Sequence, residues 1–293
     1  MFDETFRVCF ADTAFGVALH QRIRYQVFCL DKGFEDPEAF SAARETDAWD
    51  DHSAHFIVQD KSSQQWVAAT RLVLPRPDSP LPVDSLGAFD RHLLDDPNTK
   101  VGEISRFCII NNRSQVEVND YLEPEPDSLD AWGIGAIGRR QQFEVTLGMI
   151  RAAGIYALKR GINYCIMLIT DAFARMLRTL GIKLKQAGPP TEHRGMRTAY
   201  LVDMRESVVL MAQKSTAVKR FFRRSKHAYV RISSVAMDDT VDCVSEYTPD
   251  HSLFNETIFR ESVLLPAESD SDLQPNLNLK KDKTNPPLSV PRS

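Results

Sequence analysis

Long apolar runs are missing from this chain of 293 residues, and so are the residue spacings that mark most metal and nucleophile sites. No uninterrupted apolar stretch approaches the roughly 18 residues needed to cross a bilayer, so no membrane-spanning helix is expected. The opening MFDETFRVCF begins with acids and has no apolar core, unlike a signal peptide. The five cysteines (Cys9, Cys29, Cys108, Cys165, Cys243) form no Cys-x-x-Cys pair and are odd in number. Cys29, Cys108 and Cys165 sit inside apolar runs, where cysteine behaves as a small buried hydrophobe. A reducing compartment, the cytoplasm, is therefore expected. The seven histidines show no metal-ligand spacing, and neither Gly-x-Ser-x-Gly nor a Walker sequence is present. Metal and serine-nucleophile chemistries, and a resident cofactor, are not expected.

What is present is an ordinary globular composition, 43% hydrophobic and 26% charged. The formal charge of -4 is unevenly spread. Residues 236–293 hold eleven Asp/Glu against five Lys/Arg, whereas residues 1–235 hold 29 acids and 31 bases. The 236–293 stretch is also Ser/Asp/Pro-rich and aperiodic, and is expected to be a mostly disordered acidic tail. Residues 1–235 are expected to form one domain.

Periodicity organises that domain. Phe15, Leu19, Ile23 and Val27 recur every four residues and predict an amphipathic helix over 13–30, with Asp12 or Thr13 as its cap. Arg24 and Phe28 lie one turn apart on a neighbouring stripe. Residues 33–51 read as an acidic, aromatic loop, and 54–60 and 66–74 as strands. Prolines at 75, 77, 80 and 82 mark a surface excursion. Val101–Ile110 reads as a strand, 111–135 as a polar insertion, and 139–159 as a long helix stopped at Gly161. A buried strand (Tyr164–Ile169), a short helix from Asp171 to Gly181 and a strand pair (183–187, 198–204) follow. This alternation implies an α/β fold, a mixed central sheet flanked by helices. A basic helix over about 206–227 closes the domain.

The chemistry-bearing residues are few and dispersed. Arg24 and Phe28 lie on the first helix; Glu45, Asp47 and Asp50 lie in the acidic loop. Arg71 is on the second strand, and Glu103, Ser105, Arg106 and Phe107 are on the third. Singly, Arg71 reads as a structural ion pair and the acids as a solvated loop. Their order carries more. The segments Arg24-Tyr-Gln-Val-Phe28, Glu45-Thr-Asp47-Ala-Trp49-Asp50, Arg71-Leu-Val-Leu-Pro75 and Glu103-Ile-Ser105-Arg106-Phe107 resemble the autoinducer (acyl-homoserine-lactone) synthases. They resemble more closely the N-acyl amino acid synthases and the exosortase-associated acyltransferases. Val27-Phe-Cys-Leu30, Gly33-Phe-Glu-Asp36, Gly188-Pro and Gly195-Met-Arg197 also look like the exosortase-associated branch. Phe34 stands where autoinducer synthases carry a tryptophan. The resemblance spans roughly 5–205 and implies a GNAT-type fold, an acyl carrier protein or coenzyme A thioester as donor, and a small amine as acceptor.

For such a transfer an amine must lose a proton to a base, and Glu103 is the candidate. Ser105 and Arg106 are expected beside it at the catalytic centre; Arg24, Phe28, Phe34, Asp47, Asp50, Arg71 and Phe107 are expected to line the substrate site. Glu103 and Arg106 are three apart, so on a regular strand they face opposite ways; a β-bulge between them is predicted. Two readings of the arginines and aspartates stand: a scaffold holding the acidic loop, or direct contact with the acceptor. Gly133-Ile-Gly135-Ala-Ile-Gly138 matches G-x-G-x-x-G but follows a polar insertion, not a strand. It reads either as a helix N-terminus that holds a pantetheine phosphate with Arg139 and Arg140, or as a plain glycine loop. Lys214–Arg231 has seven basic residues and no acid, including Lys219-Arg-Phe-Phe-Arg-Arg224. It is expected either to dock an acidic acyl carrier protein or to be a solvated helix face; nucleic acid is not the expected partner.

Overall fold

In the computed structural model, residues 2–94, 96, 98–110, 134–214, 221 and 228–234 are described. All belong to a compact unit, Met1–Val263. The acidic tail, most of the 111–135 insertion and the Lys219–Arg224 stretch, Phe221 excepted, lie outside the described residues, as do the side chains of Arg139 and Arg140.

The chain begins with a single helical turn, α1 (Phe2–Thr5), and a strand, β1 (Phe6–Phe10), which the sequence reading passed over. Helix α2 (Ala14–Tyr25) follows, its first turn capped by Thr13, whose hydroxyl accepts the Gly16 N–H. The expected helix to residue 30 is there in altered form, because Gln26–Asp31 continues as a π-helix. Strands β2 (Ser53–Asp60) and β3 (Trp66–Val73) form a hairpin, and α3 (Pro82–Ser85) is one turn within the proline-rich excursion. Strand β4 (Val101–Ile109), helix α4 (Arg139–Lys159), β5 (Tyr164–Ile169) and α5 (Asp171–Leu180) come next. Gly181, at φ +96°, closes α5 in the left-handed conformation that favours glycine. Then follow β6 (Leu184–Gln186), β7 (Thr191–Glu192), β8 (Met196–Asp203), α6 (Met204–Lys214) and β9 (Val230–Arg231).

The strands form one mixed sheet in the order β6-β8-β5-β4-β3-β2-β1-β9, with β7 beside β8. One face carries α4, α5 and α6 over a large core that includes Phe56, Leu72, Met149, Cys165 and Leu177. Small residues on α4 permit close packing: a Cβ on Gly148 would stand 2.3 Å from the Phe2 ring. The opposite face carries α2 over Leu19, Ile23, Ile57 and Ala69, and the 81–94 excursion over Val73, Val83 and Ile166. These two apolar clusters on the α2 face are separated by charged side chains.

Two irregularities shape the middle of the sheet. The β4–β5 ladder is parallel and short: Val101, Gly102 and Glu103 pair with Tyr164, Cys165 and Ile166, and then the strands part. Beyond Glu103 the β5-facing edge of β4 has no partner strand among the described residues. On its other edge β4 bulges: Ala69 pairs with Cys108 but Arg71 with Ser105, so one extra residue stands on β4. That residue is Arg106, at φ +49°. The bulge predicted between 103 and 106 therefore falls at Arg106 itself.

The excursion is tied to the β6–β7 connection by Asp90 N–H donating to the Ala187 carbonyl at 2.7 Å. A Cβ on Gly188 would meet the Ala88 carbonyl oxygen at 2.0 Å. Backbone cannot yield there without pulling the excursion off the sheet. Gly188→Ala is expected to destabilise by about 1–3 kcal/mol, lowering the thermal midpoint by roughly 5 °C; a midpoint within 1 °C of the parent would contradict this packing.

Candidate active site

Six side chains from four elements converge between the two clusters. Helix α2 presents Arg24 and β3 presents Arg71, both with no exposed surface. The loop before β2 supplies Glu45, Asp47 and Asp50, and the bulge of β4 supplies Arg106. Arg24 pairs with Glu45 through Nε and with Asp50 through Nη1 at 2.5 Å. Arg71 Nη1 donates to Asp47 Oδ1 (2.5 Å) and Asp50 Oδ1 (2.6 Å), and its Nε donates to Ser105 Oγ at 3.1 Å. Arg106 Nη2 lies 2.9 Å from both Glu45 Oε1 and Asp47 Oδ2. Three guanidinium groups thus face three carboxylates, and each carboxylate is shared between at least two arginines. Burial alone would raise Asp50, but Arg24 and Arg71 outweigh it and hold the carboxyl well below its usual range. Asp47 follows the same balance, with Arg71 the leading partner.

Beneath the network lie two buried histidines that the sequence reading did not single out, His20 and His55, with ring centres 4.5 Å apart. Each Nε2 meets a carbonyl, of Thr70 at 3.1 Å and of Asp50 at 3.0 Å. A carbonyl only accepts, so each Nε2 carries the proton. Burial pushes His55 down to about 4 and His20 well below its ordinary value, so both rings are neutral. The only signal in the sequence was a histidine on each apolar element at core-facing spacing.

The sign of the resulting pH dependence is fixed. An unfolded chain binds a proton at His55 near pH 6.5, the folded chain only near 4, so this contribution to stability is lost as pH falls across that interval. His55→Gln removes it. The stability difference between parent and H55Q is expected to shift by about 3 kcal/mol between pH 7 and pH 4, read by urea unfolding. A pH-independent difference would show that protons reach His55 in the folded state.

Glu103 stands apart from the network. It is the last residue of β4 paired to β5, at the fork where the strands separate. Its Oε2 accepts the Val83 N–H at 2.8 Å, and the residue is 3% exposed. Burial pushes its carboxyl up to about 7, against the opposing pull of the Val83 bond, Arg71 and Arg106. A carboxyl titrating there is a base matched to neutral pH.

Phe28 and Phe34 stack at 6.5 Å beside Arg106, which lies 5.7 Å from the Phe28 ring centre. Phe107 does not join them. The bulge turns it to the α4 face, where its ring lies 5.5 Å from Phe173 of α5. Of the residues expected to line the substrate site, Phe107 is thus on the α4 face, away from Phe28, Phe34 and Arg106. Gly135 is explained without a phosphate: its N–H donates to the Trp66 carbonyl, and a Cβ there would stand 2.1 Å from Gln65. The buried thiols are poor nucleophiles, since burial pushes Cys9, Cys108 and Cys165 up to about 12. A cavity of about 350 Å³ opens on the α2 face between Leu93, Leu94, Tyr164, Lys185 and Leu201, and none of the predicted site residues lines it. Among the described residues no helix is long and apolar enough to cross a membrane.

Residues 23–122 match the acetyltransferase (GNAT) domain family. The match covers about a third of the chain, and the mixed central sheet flanked by helices is GNAT-like in fold. No curated protein matches the chain significantly. Among solved structures, BjaI, a CoA-dependent acyl-homoserine lactone synthase with SAM and isopentyl-CoA, is similar at TM-score 0.50 and 15% identity, over 73% of this chain and 89% of that one. TofI, in a ternary complex with an inhibitor and MTA, is similar at 0.49 and 21%, over 72% and 99%. FeeM, an N-acyl amino acid synthase from uncultured soil microbes, is similar at 0.44 and 15%, over 72% and 97%. At 15% identity the likeness to BjaI is one of fold.

Proposed function

We propose that the chain is an N-acyltransferase that moves an acyl group, long-chain as the motif resemblance implies, from a coenzyme A or acyl-carrier-protein thioester to the amine of an amino acid or similar small acceptor. The observation that carries this reading is the position of Glu103, a buried carboxyl titrating near neutrality at the fork where β4 and β5 part in mid-sheet. A pantetheine arm entering such a fork can pair with the free edge of β4 and bring its carbonyl carbon beside Glu103.

The amine nitrogen attacks that carbon while Glu103 accepts a proton from it, directly or through water. N–H groups of the unpaired β4 edge are suited to the tetrahedral oxyanion. Collapse expels the thiolate, which takes a proton in turn, leaving an amide and a free thiol. The network of Arg24, Arg71 and Arg106 with Glu45, Asp47 and Asp50 acts as the scaffold that fixes the acidic loop over the fork, and Ser105 positions Arg71. The helix start at Gly138, with Arg139 and Arg140 following, is the place for the pantetheine phosphate. The basic Lys219–Arg224 stretch would suit an acidic carrier protein.

A conventional acetyl-CoA-dependent acetyltransferase is the second reading, favoured by the matched acetyltransferase family. One assay separates them. The protein is given acetyl-CoA, dodecanoyl-CoA or dodecanoyl-loaded acyl carrier protein with the twenty amino acids, thiol release is followed, and N-acyl products are identified by mass spectrometry. Dodecanoyl transfer at the higher rate supports the first reading and acetyl transfer the second; no thiol release with any of the three donors overturns both.

A further inference from the structure

Arg197, in the Gly195-Met-Arg197 segment, has no place in the six-residue network. It lies at the start of β8, two residues before Ala199, which packs with Ile166 on the α2 face. Its neighbour Thr198 pairs with Ile169, at the far end of β5 and past the point where β4 and β5 part. Arg197 therefore stands on the β5–β8 side of the open fork, and Arg106 on the β4 side.

Phenyl rings bridge the two. Arg106 lies 5.7 Å from the Phe28 ring centre, Phe28 stacks on Phe34, and Arg197 lies 5.9 Å from the Phe34 ring centre. Arg194 also approaches the Phe28 ring, at 6.0 Å, and pairs with Glu35. His193 is close enough that its burial, Arg197 and then Arg106 all depress its basicity, so it adds no charge.

The other arginines described around the fork have carboxylate partners. Arg24, Arg71 and Arg106 face Glu45, Asp47 and Asp50, and Arg194 faces Glu35. Among the described residues no carboxylate pairs with Arg197. Its Nε is buried without a partner, and its Nη2 reaches only the Arg194 carbonyl, at 3.5 Å. A half-buried guanidinium with unused donors is unfavourable until an anion completes it.

We propose that Arg197 holds the carboxylate of the acceptor, so that the acceptor is an amino acid and not a simple amine. This rests on the acyl-transfer reading above and deepens it. A guanidinium fork holds a carboxylate through two parallel N–H donors, and an acceptor so anchored sits on the β5–β8 side of the fork whose base holds Glu103. Phe34 and Phe28 form the apolar wall beside it.

The test uses the full chain with dodecanoyl-CoA. The amino acid acylated fastest is compared with its α-amide and its decarboxylated amine, in parent, Arg197→Met and Arg197→Lys. The parent is expected to favour the acid by about 100-fold in kcat/KM. Arg197→Met should abolish that preference through KM for the acid while leaving KM for dodecanoyl-CoA unchanged, and Arg197→Lys should restore part of it. Equal use of acid and amide by the parent overturns the assignment. So does a rise in KM for dodecanoyl-CoA in R197M, which would make Arg197 a contact for the donor's phosphate. Calorimetric titration with N-dodecanoylglycine and its amide gives a readout without turnover. If no amine is acylated but the acid binds more tightly than the amide only when Arg197 is present, acyl transfer falls and the carboxylate site stands. If amines are acylated regardless of a carboxylate, the site falls and acyl transfer stands; if neither behaviour appears, both fall.

Discussion

Arg71→Met is expected to destabilise the protein by about 3–5 kcal/mol, a fall of roughly 10 °C in thermal midpoint. The side chain has no exposed surface, and its Nη1 serves Asp47 and Asp50 at once. Replacing it with a group of similar size but no charge leaves three carboxylates, Glu45 and Asp50 buried and Asp47 partly so, facing two guanidiniums. Water cannot restore the balance at Asp50, which is 7% exposed. The cost is that of an orphaned buried charge, so a second change that removes a carboxylate should recover part of it. Asp50→Asn in the Arg71→Met background is expected to cost less than the sum of the single changes by at least about 1 kcal/mol. Urea unfolding of the four proteins reads this coupling. Strict additivity would mean that the charges act independently.

That network shows how far the sequence could be read. Its members were visible as types in a characteristic order: a helix arginine, spaced acids, a strand arginine, and an arginine beside a serine. Their partition was not visible, because hydrogen-bond partners across 21 to 61 residues of chain follow from sheet register and loop path. Strong local patterns gave the elements. The four-residue stripe of α2, the apolar run of β5 and the glycine after α5 match what formed. β1 went unread because only five residues alternate there, Phe6, Val8 and Phe10 inward, and their strand state depends on pairing with β2 far along the chain.

Phe107 shows a different limit. The spacing of Glu103 and Arg106 predicts a bulge, but which face the residue after it takes depends on where in the register the bulge falls. One extra residue at Arg106 restores alternation with reversed phase, so Cys108 faces the α2 side and Phe107 the α4 side. The same backbone step that brings Arg106 to Glu45 removes Phe107 from the fork. His20 and His55 were illegible for a different reason: a neutral buried histidine looks like any core residue until its carbonyl partners are known.

Glu103→Gln is expected to lower kcat by about 10²- to 10⁴-fold while making the protein more stable above neutrality. Glutamine keeps an oxygen for the Val83 N–H and a similar volume, so the fork should persist. What it loses is the capacity to take a proton from the attacking amine. In the parent, kcat/KM should rise with pH and level off near 7, where Glu103 titrates; in the variant that inflection should vanish. The stability effect has the opposite sign. Because the folded carboxyl titrates near 7 and an unfolded one near 4.5, the native state is disfavoured as pH rises through that interval. At pH 8 an uncharged residue there is expected to gain up to about 3 kcal/mol. Turnover of E103Q at the parent rate with the inflection intact would remove Glu103 as the base, and lower stability at pH 8 would show that the carboxylate is held by partners other than Val83.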